Sequence, residues 1–192
     1  MTGTSLTLRA LLKAAASRAG LGTADPISGL SPAAKGFAVA AAATDAPVVV
    51  VVPTDGDVEQ MVADVRFFLG GMAGLSEHEL RHGVLPFPSH EVDPYRGLAP
   101  HFDVAAARAR ALYGLAAGSL RVVVAAAAAL LPRLSSPDRL LAAGAHLELG
   151  ALIEPPELGD LLADAGFTPE DPVDAHGEFC VRGGVVDFFP AG

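Results

Sequence analysis

Gly29, four intervening residues and then Ala34-Lys35-Gly36 fall on the spacing of a phosphate loop, in which Gly, four residues and Gly-Lys-Ser/Thr wrap backbone N–H groups around nucleotide phosphates. Two of the marked positions are wrong for that chemistry. Ala34 stands where a second glycine would let the backbone close on a phosphate, and Gly36 stands where a hydroxyl would hold magnesium. Pro32 removes a further N–H donor from the cradle. Gly29 and Lys35 alone keep the pattern, so the stretch reads as a loop before a helix, with one solvated lysine. The enzymatic alternative is a small nucleotide hydrolase built around Lys35.

Four other groups of residues carry possible chemistry. His78 and His82 are spaced to share one helix face, as two metal ligands would be, but no third ligand accompanies them and a polar helix face accounts for the pair. His90, Glu91, Asp93 and Tyr95 crowd one segment and imitate an acid–base cluster. They lack a nucleophile and an oxyanion donor, so a solvated loop is the better account. Cys180 lies in a strand-like run, where a small apolar thiol is the default. Arg182, beside Gly183-Gly184, is either a surface charge or a bidentate anchor for a carboxylate on a partner.

The elements that must position these residues follow from periodicity. Leu6, Leu8, Leu11, Leu12 and Ala15 predict an amphipathic helix ending at Gly20 and Gly22, and Pro32 opens a second helix over Ala33 to Ala43. Val48 to Val52, between Pro47 and Pro53, predicts a strand covered on both faces in a parallel sheet. Thr54 or Asp55 caps a helix from Val58 to Leu69, closed by Gly70-Gly71. A short strand at Val84 and Leu85 leads into a proline-rich irregular stretch. A helix follows from Phe102 or Asp103 to Leu115, with Arg108 and Arg110 pointing away from its apolar side. Val122 to Ala126 is a second buried strand, leading into a short helix that Pro132 ends.

Strand-then-helix repetition implies an open, mostly parallel α/β sheet. After Pro132 the composition changes. Leu147 to Ile153 predicts a strand and turn, and Glu157 to Ala165 a helix with Leu158, Leu161 and Leu162 inward. The last run forms a hairpin: Phe179, Val181, Val185, Val186, Phe188 and Phe189 are strand formers, and Gly183-Gly184 supplies positive φ angles for the turn.

Composition narrows the function. The 192 residues are 51% hydrophobic, with a mean hydropathy of +0.42, which is ample for a core. A net charge of −9, only thirteen Lys and Arg and no tryptophan disfavour a nucleic-acid surface, leaving a protein partner or small ligand. The single cysteine rules out an internal disulfide and is consistent with the cytoplasm. The apolar runs Val48 to Val52 and Val122 to Leu131 fall well short of the roughly 20 residues needed to span a bilayer. No secretory signal is recognisable at the amino terminus.

The run His176 to Gly192, HGEFCVRGGVVDFFPAG, resembles a segment shared by the bacterial transcription-repair coupling factors and the excision-repair protein UvrB, where it belongs to the domain that binds UvrA. Asp93-Pro94-Tyr95 resembles a second string of the coupling factors, and the likeness extends from about Ile27 to the end. UvrB keeps a working phosphate loop and a tyrosine-rich hairpin, neither of which is present here, so the coupling factors are the nearer match. The resemblance implies a degenerate P-loop, RecA-like parallel sheet over residues 1–132 and an inserted α+β domain of UvrB-interaction type over 133–192, incomplete at its end. It implies a cytoplasmic amino-terminal fragment that recruits UvrA in transcription-coupled nucleotide excision repair without ATPase activity of its own. The alternative is a UvrB-related nucleotide-binding protein. ATP and Mg, RNA polymerase and DNA belong to domains of the full-length family that are missing here. The resemblance makes Arg182 the partner-facing residue, with Glu178 and Phe188 beside it. Two departures alter the expected contact: Cys180 replaces an arginine of UvrB, and Thr168 follows Gly166-Phe167 where coupling factors can carry a basic residue. With the chain ending at Gly192, the strand from Val185 to Phe189 is expected to present an unpaired edge prone to self-association.

Overall fold

Valine runs build the first sheet. The computed structural model describes residues 7–21, 26–90, 92, 96, 100–142, 144 and 147–190. In it β1 (Val48–Val52), β2 (Val84–Phe87) and β3 (Val122–Ala126) form a three-stranded parallel sheet in the order β1-β3-β2. Val124 faces Val50 on one side and Pro86 on the other, so β3 is the central strand. All five of its residues are buried, which is why its sequence is uninterruptedly apolar.

β1 has the same sequence pattern and a different environment. Val49 is 56% and Val51 52% exposed, while Val52 is buried, so the expectation of a strand covered on both faces is overturned for β1. The alternation of burial along β1 shows that the face carrying Val49 and Val51 lacks cover, whereas β2, also at an edge of this sheet, is buried at Val84, Leu85 and Phe87.

Among the described residues, four α-helices accompany this sheet: α1 (Leu8–Arg18), α2 (Pro32–Ala42), α3 (Asp55–Ala73) and α4 (Glu77–Gly83). Thr54 starts α3 through a capping box, its hydroxyl accepting from the Asp57 amide at 3.3 Å while the Asp57 carboxylate accepts from the Thr54 amide at 3.1 Å. The helix then runs through Gly70-Gly71, where an end was expected, and stops at Gly74 in a left-handed conformation with φ 72°. Packing explains the difference. A Cβ on Gly71 would lie 2.7 Å from Leu12 of α1, and one on Gly70 would lie 2.9 Å from Leu80 of α4, so these glycines let neighbouring leucines rest on bare helix backbone. Two polar ties hold α3 to β2 and to the segment that follows it. The Arg66 guanidinium donates to the Val84 carbonyl at 2.7 and 3.3 Å, and the Asp55 carboxylate accepts from the amide and hydroxyl of Ser89 at 2.7 and 2.6 Å.

The chain divides into two compact units, Met1–Glu91 with Gly118–Arg133, and Val92–Ala117 with Leu134–Gly192. The second unit thus takes in Val92–Ala117 as well as the residues after Arg133.

The second unit holds α5 (Phe102–Ala116), α6 (Pro137–Ala142), α7 (Pro155–Asp164) and a mixed sheet of β4 (Thr168–Pro169), β5 (Glu178–Arg182) and β6 (Val185–Phe188). β4 runs parallel and β6 antiparallel to β5. Its core is Leu158, Leu162 and Phe179, flanked by Phe167, Val186 and Phe188. A Cβ on Gly159 would sit 3.0 Å from Val181, so α7 lies directly on β5. Two expectations fail here. No strand forms over Leu147 to Ile153. A turn there includes Gly150 at φ 90°, and Leu149 and Leu152 are fully exposed. Arg108 is buried, not turned outward, because helical spacing puts it on the face of Ala111 and Gly114.

Candidate functional site

The loop with phosphate-loop spacing becomes the start of α2. Gly29 is left-handed at φ 78°, and Ser31 caps the helix, its hydroxyl accepting from the Ala34 amide at 3.4 Å and its carbonyl from the Lys35 amide at 3.0 Å. These amides are therefore turned into the helix. Gly36 is buried against α3, where a Cβ would lie 2.5 Å from the Asp64 Cβ. Neither atom is the end of a flexible chain, so a serine or threonine at position 36 would push α2 and α3 apart. Beside this contact lies a cavity of about 300 Å³ whose lining includes Lys35, Asp57, Asp64, Val39 and Met61. Asp57 is engaged by Thr54, and Asp64 accepts from Gln60 at 3.1 Å. One ammonium between two carboxylates gives the cavity a negative balance, which opposes a polyphosphate.

The hairpin presents the other candidate. Arg182 is the last residue of β5 and pairs with Val185 across the Gly183-Gly184 turn. Gly183 alone is left-handed, at φ 56°, so the turn needs one positive φ where two were expected. The Arg182 guanidinium is held side-on by Asp171: Nε donates to Oδ2 at 3.0 Å and Nη2 donates to Oδ1. The two side chains remain 56% and 59% exposed. Arg182 also borders an open hollow of about 400 Å³ whose other walls are Pro172, Val173, Asp187, Phe188 and Phe189.

The three residues singled out at this hairpin have different roles in the fold. Arg182 and Phe188 border the same hollow, and Phe188 also packs onto the α7 core. Glu178 lies at the opposite end of β5. Its carboxylate accepts from the amides of Asp174 and Ala175 at 2.9 and 2.8 Å and so organises the preceding loop. Sequence reasoning missed Asp171, Pro172, Val173, Asp187 and Phe189. Asp187 and Phe189 were within the recognised string, whereas nothing local ties Asp171 to a guanidinium eleven positions away.

His176 was not singled out either. Its ring stacks on Phe102 of α5 at 5.2 Å and meets Phe189 at 4.1 Å, and its Nδ1 lies 2.9 Å from the Pro190 carbonyl. The ring thereby buttresses one wall of the hollow. Cys180 is half-buried in β5 opposite Asp187. His78 and His82 stack at 4.2 Å on α4. Of the acidic cluster around His90, residues Glu91, Asp93 and Tyr95 lie outside the described residues, as does the Asp93-Pro94-Tyr95 string. Among the described residues no helix is long and apolar enough to cross a membrane.

No family model matches the chain. Curated proteins do. The chain is 30% identical over 164 residues to a transcription-repair-coupling factor of Myxococcus xanthus, a match covering 84% of this chain and 13% of that protein. A factor of the same name from Mycobacterium tuberculosis is 30% identical over 185 residues, covering 90% of this chain and 14% of its own length. The Bacillus subtilis factor is 30% identical over 107 residues, 56% of this chain and 9% of that protein. The chain thus spans a small part of the length of the relatives it matches.

Proposed function

We propose that this chain, whose sequence places it with the amino-terminal region of the transcription-repair-coupling factors, is a docking module that recruits UvrA in transcription-coupled nucleotide excision repair. The contact is assigned to the β5–β6 hairpin. One observation carries it: Arg182 stands at the hairpin turn, half-exposed and held in a fixed plane, on the rim of a hollow whose other side is aromatic. A planar donor beside exposed aromatic surface is the composition of an interface anchor.

In this reading the first unit is a motor-like scaffold without nucleotide chemistry. The capped start of α2, the closed contact at Gly36 and the acidic neighbours of Lys35 support it. Translocation on DNA and engagement of RNA polymerase are then the work of other parts of the family protein. The second unit is the UvrB-interaction-type domain, with Arg182 and Phe188 at the contact and Glu178 keeping the adjoining loop in shape.

Binding of purified UvrA, measured by calorimetry or pull-down, tests the proposal. Arg182→Glu is expected to weaken binding at least about tenfold, roughly 1.4 kcal/mol. Equal binding by both proteins would remove Arg182 from the interface.

A further inference from the structure

We infer that Asp171 is a positioning residue for this docking surface: a carboxylate that fixes the Arg182 guanidinium plane against the hollow, so that a partner meets a donor already oriented. The inference rests on the docking role assigned to Arg182.

The geometry is that of a brace. Asp171 takes the Nε and Nη2 edge of the guanidinium, while Arg182 itself forms part of the hollow's wall together with Pro172, Val173, Phe188 and Phe189. An arginine has five N–H donors, and a side-on carboxylate uses two of them. The remaining donors stay available to an acceptor brought in by the partner. Without the brace, a guanidinium on a flexible stem loses rotamer entropy on binding, which weakens the contact. The loop carrying Asp171 is itself anchored, since the amide of Glu170 donates to the Phe179 carbonyl at 2.9 Å.

The arrangement also states what fits the hollow. Asp171 balances Arg182, and Asp187 adds a second carboxylate at the same rim. The hollow is thus not cationic, and bulk attraction of an acidic surface is not its mode of recognition. A partner segment that suits it places an apolar side chain against Phe188, Phe189, Val173 and Pro172, with a carbonyl or single carboxylate oxygen reaching the end of the guanidinium.

A double-mutant cycle on the full chain against purified UvrA distinguishes a brace from its alternatives. Arg182→Ala weakens binding. Asp171→Ala weakens it about three- to tenfold in the parent chain, and has no further effect when Arg182 is already alanine. A melting curve accompanies each protein, and the near-isosteric Asp171→Asn replaces Asp171→Ala should the latter melt early. Unchanged or tighter binding by the Asp171 variants overturns the inference, tighter binding meaning that Asp171 competes with the partner. Strictly additive losses overturn it as well. If Arg182→Ala binds normally, the docking role itself fails and the brace with it. If Arg182→Ala fails to bind while the Asp171 variants bind normally, only the brace is lost.

Discussion

A hydroxyl at position 36 would do two things at once: supply the magnesium ligand that a phosphate loop needs, and collide with Asp64 at the closest point between α2 and α3. Gly36→Ser is therefore expected to lose about 1–3 kcal/mol of stability in urea unfolding, without gaining affinity for magnesium-ATP in calorimetry. Micromolar binding of magnesium-ATP by the parent chain, abolished in Lys35→Ala, would restore the nucleotide reading. Residues differ in how far their roles could be read from sequence. The two departures from the loop pattern were visible because each is a local mismatch in a short motif. The place of Arg182 at a hairpin turn was legible because its turn glycines and flanking strand formers are contiguous. Asp171 and Phe102 were not, since their partners, Arg182 and His176, are brought to them only by the closed second unit.

At the level of elements, β1 and β3 show where sequence periodicity runs out. Both are runs of small apolar residues, and only the cover supplied by distant parts of the chain separates the half-open β1 from the buried β3. Val51→Lys should leave stability within about 0.5 kcal/mol, as expected for a surface position, whereas Val124→Ala should cost about 2 kcal/mol, as for other methyl groups removed from a packed core. Denaturation midpoints of the two variants test this, and comparable losses would mean that both faces of β1 are covered. Helix starts were legible where the signal is local, as at Pro32 and at Thr54, one of the two caps expected for α3, and the end of α3 was misread where glycine served packing, at Gly70-Gly71. The capping box of α4 adds a dependence on pH. The amide and hydroxyl of Ser76, both donating to Glu79, hold its carboxyl below the usual glutamate range. A lowered value in the folded state means that the stabilisation is complete above the unfolded value and is lost as pH falls through the folded one. The Ser76 amide resonance should follow that transition in an acid titration, and should cease to do so in Glu79→Gln.

For the whole chain, the decisive feature is that the polypeptide passes between its two units after Glu91, Ala117 and Arg133. Composition marks the last passage, through Ser135, Ser136 and Pro137, but not the first two, because α5 reads as one more amphipathic helix of an alternating α/β chain. Its packing partners lie later in sequence: α6 packs against it, and Phe102 at its first turn stacks on His176. A fragment ending at residue 132 therefore keeps α5 and discards what covers it. Such a fragment is expected to bind a hydrophobic dye and to self-associate in light scattering, since an uncovered apolar helix face behaves as an aggregation site. Replacing residues 92–117 of that fragment with a short Gly/Ser linker should restore monodispersity, because closing a loop of different length changes stability by only about 0.6 kcal/mol per doubling. If the two fragments scatter light equally, α5 belongs to the first unit, and the division of the chain lies where composition alone would put it.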